Sequence, residues 1–320
     1  MSARGWFLFS LMGVLWGIPY LMIKVAVGDL PPSTVVFVRC ALGAALLLPF
    51  ALRGGRLART VRSHWKPMPA FAAIEIIGPW WTLTDAEQHL SSSMAGFLIA
   101  AVPIFGVILA RLLALGDSER VTPRRALGLA LALGGVAVLT VPHLSGGDAW
   151  SITELLLSAF GYALAPLIAA RHLKAAVPTL QLVTPCLLLA ALVHAPAGIA
   201  GLPGELPGGE VLLALAGLGI LCTALAFVGF LELIREVGPS RASVITYVNP
   251  AVAVAAGVTF LDEPLTATIG LAFALILGGS VLATLGGAHA DRAGGDAAPV
   301  SIEAVGAPSE VRVDDAARGA

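Results

Sequence analysis

A fixed interval runs through this chain. Pro19 and Pro166, Lys24 and Arg171, Pro31 and Pro178, Pro49 and Pro196, and Pro103 and Pro250 each lie 147 positions apart. Past an acidic turn the interval drops to 144, as Thr122 with Thr266 and Gly134-Gly135 with Gly278-Gly279 show, because the first copy has three more residues before its turn. Five matched pairs in one register mark an internal duplication, so the fold must be buildable from one unit used twice. The unit is clearest from Gly238 to Thr266, GPSRASVITYVNPAVAVAAGVTFLDEPLT, and in its counterpart from Ser91 to Thr122. Each is a loop, a run of small and apolar residues around one proline, then an acidic turn (Asp262-Glu263; Asp117-Ser118-Glu119) and a threonine.

What the unit is made of follows from its apolar runs. A run of about 20 apolar residues crosses the hydrocarbon core of a bilayer, and it must do so as a helix because unpaired backbone groups are too costly in lipid. Ten such helices are predicted, at about 6–27, 33–52, 68–87, 92–115, 125–142, 150–170, 178–198, 211–232, 242–260 and 267–286. The chain is 58% hydrophobic and 12% charged, with a mean hydropathy of +0.90, far from soluble averages. The fold class is therefore an all-α integral membrane protein. The first run follows Arg4 but is too long for a signal peptide and lacks a small-residue cleavage site, so it is read as a membrane anchor. Cys40, Cys186 and Cys222 lie singly inside apolar runs and are read as buried thiols; no metal site and no cofactor are expected.

Basic residues set the orientation. Arg53, Arg56, Arg59, Arg62 and Lys66 lie between helices 2 and 3; Arg111, Arg120, Arg124 and Arg125 flank the turn after helix 4. Arg171 and Lys174 follow helix 6, Arg235 and Arg241 flank the turn after helix 8, and Arg4, Arg292, Arg312 and Arg318 lie towards the termini. All of these fall on one side of the ten-helix arrangement, and the alternate loops have no Lys or Arg. Both termini are then cytoplasmic. Five crossings per copy also force the second copy to enter from the opposite face, so residues 5–142 and 149–286 form two inverted five-helix repeats. Residues 287–320 lose the apolar pattern and read as a disordered cytoplasmic tail. Inverted repeats are typical of secondary transporters, with a substrate site near the midplane between the copies.

WGIPYLMIK (Trp16 to Lys24), PPSTVVFVR ending at Arg39, SSSMAGFLIAAVPIF and the Gly238 to Thr266 stretch together resemble the EamA family of the drug/metabolite transporter superfamily. The resemblance covers nearly all of residues 6–286. It implies an inner-membrane carrier of ten helices that exports or imports small metabolites, amino acids or related compounds among them. The two copies differ where it matters: the first acidic turn, GDSERVT, has arginine where the second has proline, and Cys186 stands where the first copy has Arg39. A site in one copy therefore does not transfer to the other.

Candidate substrate-cavity residues are the polar and aromatic groups inside the spans. Arg39 lies about 9 Å inside helix 2 at 1.5 Å per residue, a depth at which a charge must face the bundle interior or water. It either binds an anionic group or ties helix 2 to a neighbour. Lys24, nearer the end of helix 1, can reach the interface along its stem. Glu75, about 10 Å inside helix 3, is a group whose protonation could couple transport to protons, or else a member of an interhelical ion pair. Trp16, Trp80, Trp81, Tyr162 and Tyr247 could wall a cavity, and Asn249 needs a partner in lipid surroundings. Pro19, Pro79, Pro103, Pro166 and Pro250 each remove a helix hydrogen bond; kinks at the cavity are expected in helices 1, 4, 6 and 9. Gly13-x-x-x-Gly17 permits close helix contact.

The chain has no HExxH, no GxSxG and no phosphate-binding glycine loop, and its six histidines are scattered, so an enzyme is not expected, nor a nucleic-acid partner. The expected partners are a small-molecule substrate, the lipid bilayer and protons as coupling ion. A channel, or a facilitator without ion coupling, is the alternative.

Overall fold

The computed structural model describes residues 1–53, 55–113, 123–144, 148–173, 177–238 and 242–285. The acidic turn at Asp117 to Glu119, Lys174, Arg241 and the tail from Gly287 to Ala320 lie outside the described residues. Described residues form helices joined by short connections: α1 (Ala3–Gly17), α2 (Pro19–Ala26), α3 (Pro32–Leu52), α4 (Leu57–Ser63), α5 (Pro67–Ala72), α6 (Gly78–Ala86), α7 (Ser92–Ile99), α8 (Val102–Leu112), α9 (Pro123–Leu144), α10 (Ala149–His172), α11 (Thr179–Ala200), α12 (Gly209–Ala216), α13 (Ala226–Val237), α14 (Asn249–Phe260) and α15 (Ala267–Leu285). Two π-helical segments, Ala73–Ile77 between α5 and α6 and Gly217–Leu225 between α12 and α13, keep those rods continuous. A 3₁₀ turn, Ser243–Tyr247, leads into α14.

Helix starts follow from local chemistry. Pro31 and Pro178 stand immediately before α3 and α11 in extended backbone, and Ser91 caps α7 by accepting from the Met94 N–H at 3.2 Å. Gly238 ends α13 at φ 75, a left-handed conformation that glycine adopts without strain. Three prolines mark interruptions. The α1–α2 rod breaks at Ile18 before Pro19, α7 and α8 part at Ala100-Ala101 before Pro103, and α14 begins after Val248 with Pro250 in its first turn. Pro79 opens α6 directly after a π segment. Pro166 differs, because α10 runs through it as one 24-residue helix. The basic stretch after α3 is not all loop, since it holds the short helix α4.

Among the described residues, six helical rods are long and apolar enough to cross a membrane: Ala3–Ala26, Pro32–Leu52, Ser92–Leu109, Ala149–Ala169, Thr179–Ala200 and Gly209–Val237. Ala126–Val141, Val244–Phe260 and Ala267–Leu282 are shorter apolar helices. The α5–α6 rod falls in neither group, because three prolines, Glu75 and the Trp80-Trp81 pair dilute its hydrophobicity.

The rods pack as a bundle in which α3 lies along α11, α9 along α15 and α7 along α14. Around these, α1 packs on α13 and α14, α10 on α6, α7 and α8, α3 on the second π segment, and α11 on α5 and the first π segment. Small residues set the closest approaches. A Cβ on Gly135 of α9 would lie 2.7 Å from Ile276 Cγ1 and 2.9 Å from the Ala272 carbonyl oxygen, and one on Gly13 would lie 3.0 Å from Val248 Cγ1. Without a strong hydrophobic drive between helices in lipid, such backbone proximity is what holds them. Trp6, Trp65 and Trp150 project at the rod ends, 57%, 65% and 66% exposed, where interfacial anchors belong.

Candidate substrate site

Among the polar groups that the described residues bring together in the bundle, one at the centre and one at an end hold the candidate charges. In the centre, Arg39 of α3 is 8% exposed. Its guanidinium carbon lies 3.7 Å from the centroid of the Trp80 ring on α6, a cation–π contact. Its Nε donates to Thr223 Oγ1 at 3.1 Å, in the second π segment. Thr223, itself fully buried, donates at 2.8 Å to the Leu218 carbonyl five residues earlier, an acceptor that the wider turn brings into line. Gly43 leaves room for this, since a Cβ there would lie 2.6 Å from Thr223 Cγ2. The guanidinium is thus fixed on its face and at Nε, and its terminal nitrogens make no hydrogen bond among the described residues.

Tyr162 of α10 packs against both of the larger apolar clusters, one containing Tyr20 and the other containing Trp80. The centre therefore draws on α2, α3 and α6 from the first copy and on α10 and the second π segment from the other. Glu75 lies in the first π segment; its Oε2 is buried without a hydrogen-bond partner. Arg39 and Glu75 do not form an ion pair.

Other candidates lie elsewhere. Trp16 packs against Phe230 at a tilt and against Phe227 edge-on, with centroids 4.7 and 6.3 Å away, in the α1–α13 seam. Trp81 is 37% exposed and faces outward. Tyr247 belongs to the 3₁₀ turn before α14, and Asn249 opens α14 with its Oδ1 buried and without a partner. An open cavity of 810 Å³ lies where α4 and α5 meet the end of α10, lined by Ser63, Lys66 and His172 among others. It does not include Arg39. Buried charge, which needs a function to justify its cost, is a better guide to the site here than the size of a mouth at the bundle end.

The end group is larger than sequence suggests. Lys24 Nζ donates to the Glu87 and Leu90 carbonyls at 2.6 and 2.9 Å, closing the C-terminal end of α6, where a cation is favoured. Across the seam, the Glu263 carboxylate accepts from the Ser92 N–H at 2.7 Å, the Ser92 hydroxyl at 2.9 Å, the Ser93 N–H at 3.0 Å and the Ser93 hydroxyl. Asp262 beside it has φ 52, and Gly257 clears the space, a Cβ there lying 2.7 Å from Ser93 Oγ. At the opposite end, Arg4 pairs with Glu232 at 2.9 Å and Glu236 at 3.5 Å.

The sequence profile of the EamA-like transporter family matches residues 3–141 and again 149–285, almost the whole described chain. The chain belongs to that family. It is a multi-pass membrane transporter and not an enzyme. An inner membrane transporter of Escherichia coli, YedA, is 27% identical over 289 residues, covering 87% of this chain and 90% of its own. A transporter of Archaeoglobus fulgidus is 27% identical over 269 residues, 82% of this chain and 92% of its own. A probable terminal-alkyne amino-acid exporter of Streptantibioticus cattleyicolor is 27% identical over 263 residues, 78% and 83%. One crystal structure shares the fold, at a TM-score of 0.64 and 22% identity over 89% of this chain and 98% of that one.

Within this EamA-like chain, sequence reasoning missed Thr223, Tyr20, Glu87 and the Ser92-Ser93 pair. A threonine in an apolar helix gives no sign of what it faces. The TFLDEPLT turn did stand out, but the partners of its Glu263, Ser92 and Ser93, lie 171 and 170 positions away.

Proposed function

We propose that this chain is a secondary active transporter that moves a small metabolite, an amino acid or related compound, across the cytoplasmic membrane by alternating access. Ten spans form two inverted five-helix copies, both termini are cytoplasmic, export is the direction tested first, and protons are the coupling ion. The carrying observation is that the helix contacts repeat when the copies are exchanged. The α1 contacts with α13 and α14 have counterparts in the α10 contacts with α6 and α8, and α3 on the second π segment has its counterpart in α11 on the first. The pairs α3–α11, α9–α15 and α7–α14 map onto themselves. Such pseudo-symmetry supports rocking of one copy against the other around a shared site.

In this reading Arg39 receives an anionic group of the substrate on its free edge, Trp80 and Tyr162 form the wall, and Glu75 carries the coupled proton. Helix breaks at Pro19, Pro103 and Pro250 supply the hinges, and Pro79 and Pro166 free further carbonyls. Comparing metabolites in the medium of cells with and without the protein selects a substrate. Labelled substrate is then followed into proteoliposomes preloaded with unlabelled compound. Accelerated uptake against the gradient is the expected result; uptake indifferent to the preload means a channel and removes alternating access.

A further inference from the structure

Glu87 directly follows α6 and is 0% exposed, yet neither of its carboxylate oxygens has a hydrogen-bond partner. It joins none of the ion pairs among the described residues. The nearby ammonium of Lys24 is directed to the Glu87 backbone carbonyl and to Leu90, so it serves the chain end and leaves the carboxyl without a donor. The charges acting on this carboxyl come from three elements: Lys24 on α2, Glu263 on the turn after α14, and Arg39 on α3. The Tyr20 hydroxyl of α2 also lies within range of its charge. Lys24 and Arg39 favour an anion, while burial and the Glu263 charge oppose one. Glu263 is occupied elsewhere, because its four acceptor contacts hold its carboxylate on the first turn of α7. An ionised carboxylate without donors in a dry site is strongly disfavoured relative to the neutral acid.

We infer that Glu87 is a proton-binding site at the seam between the two copies: it holds its proton while Glu263 is seated on α7, and releases it to water when that seam parts. The seated state then binds one proton more than the parted state. Seating is therefore favoured at low pH and weakens as pH rises above the ordinary glutamate range, about 4.3. In the proposed orientation this seam faces outside, so the proton would be given up on the outer side. Parting of the seam rests on the alternating-access reading; protonation of the seated state does not.

Two measurements on the full chain in lipid nanodiscs separate these. Infrared difference spectra of wild type against Glu87→Gln should show the carbonyl stretch of a protonated carboxylic acid that the variant loses. Spin labels at Gln88 and Thr266, with the three cysteines replaced, should move apart as pH rises from 5 to 9. In Glu87→Gln and in the apolar Glu87→Met the separation should stay short at every pH, and Glu87→Asp should restore the dependence. Absence of the infrared band, or an unchanged pH profile in both neutral variants, overturns the inference. A band present with labels that never separate, at any pH or with substrate, leaves the proton site standing and overturns alternating access.

Discussion

Arg39 shows how a single charge is made useful inside a bilayer protein. Its cost is lowered by the Trp80 face and the Thr223 hydroxyl, both of which also fix its direction. Thr223→Ala should leave the fold intact and weaken substrate binding about tenfold, roughly 1.4 kcal/mol, the scale of one hydrogen bond to a charged group. Thr223→Ser should recover most of the loss, as read from the KM for uptake; equal defects in both would mean that the threonine matters only for packing. Arg39→Lys keeps the charge but loses the planar group that lies on Trp80, so it should behave more like the alanine variant. Glu75 offers a separate test. If it carries the coupled proton, Glu75→Gln should flatten the dependence of transport on external pH, whereas a helix-tying role leaves the profile in place with less protein folded. Arg39 and Glu75 were legible in the sequence because a charge inside an apolar run has few explanations. Glu87 was not, since it falls at the last position of the run predicted at 68–87, where its burial does not show in the sequence.

Helices and their seams were more legible than the site, because hydrophobic run length in a membrane protein leaves helix as the only local structure. The sequence boundaries at 33–52 and 150–170 lie within a few residues of α3 and α10. The π segments had no such signal: AIEII and GLGILCTAL are as compatible with an α-helix, and their widened turns depend on what packs beside them. Neighbouring Gly161, where a Cβ would lie 2.6 Å from the Ile74 carbonyl oxygen, is one such partner. Proline was an incomplete guide too, as Pro19 opens a new helix after a break while Pro166 sits within one. The Gly134-Gly135 pair provides a controlled test of seam packing. A Cβ on Gly134 meets nothing within 4 Å, whereas one on Gly135 meets Ile276 and the Ala272 carbonyl oxygen below 3.0 Å. Gly135→Ala should lower the thermal unfolding temperature in detergent, by an overpacking cost of about 1–3 kcal/mol. Gly134→Ala should be neutral or slightly stabilising, since alanine is the better helix residue. Equal effects at the two positions would mean that the α9–α15 seam is not packed through Gly135.

For the whole molecule, the proposed inversion of the copies depends on one rod. Five crossings in the first copy require α5, its π segment and α6 to traverse the bilayer, yet this is the stretch that prolines, Glu75 and paired tryptophans make least apolar. Two features compensate. Its polar surface is covered by the other copy, through the contacts of α10 with α6 and of α11 with α5, so the rod need not be hydrophobic on every side to be stable in lipid. Its flanks are also asymmetric: Arg53, Arg56, Arg59, Arg62 and Lys66 precede it, while the residues from Glu87 to Ser91 contain no Lys or Arg. If it crosses, single cysteines at Arg62 and Gln88 in a background without native thiols should react with impermeant reagents from opposite sides, Gln88 in intact cells and Arg62 only after the inner face is opened. If both react from one side, the first copy has an even number of crossings and the two copies run in the same direction. The exchange of contacts between copies would then have to come from an axis along the membrane normal, and no membrane-plane axis would relate Arg39 to a passage between halves. Because neither α3 nor α7 changes its own hydrophobicity in that outcome, the accessibility of these two positions isolates the crossing of this rod from every other span.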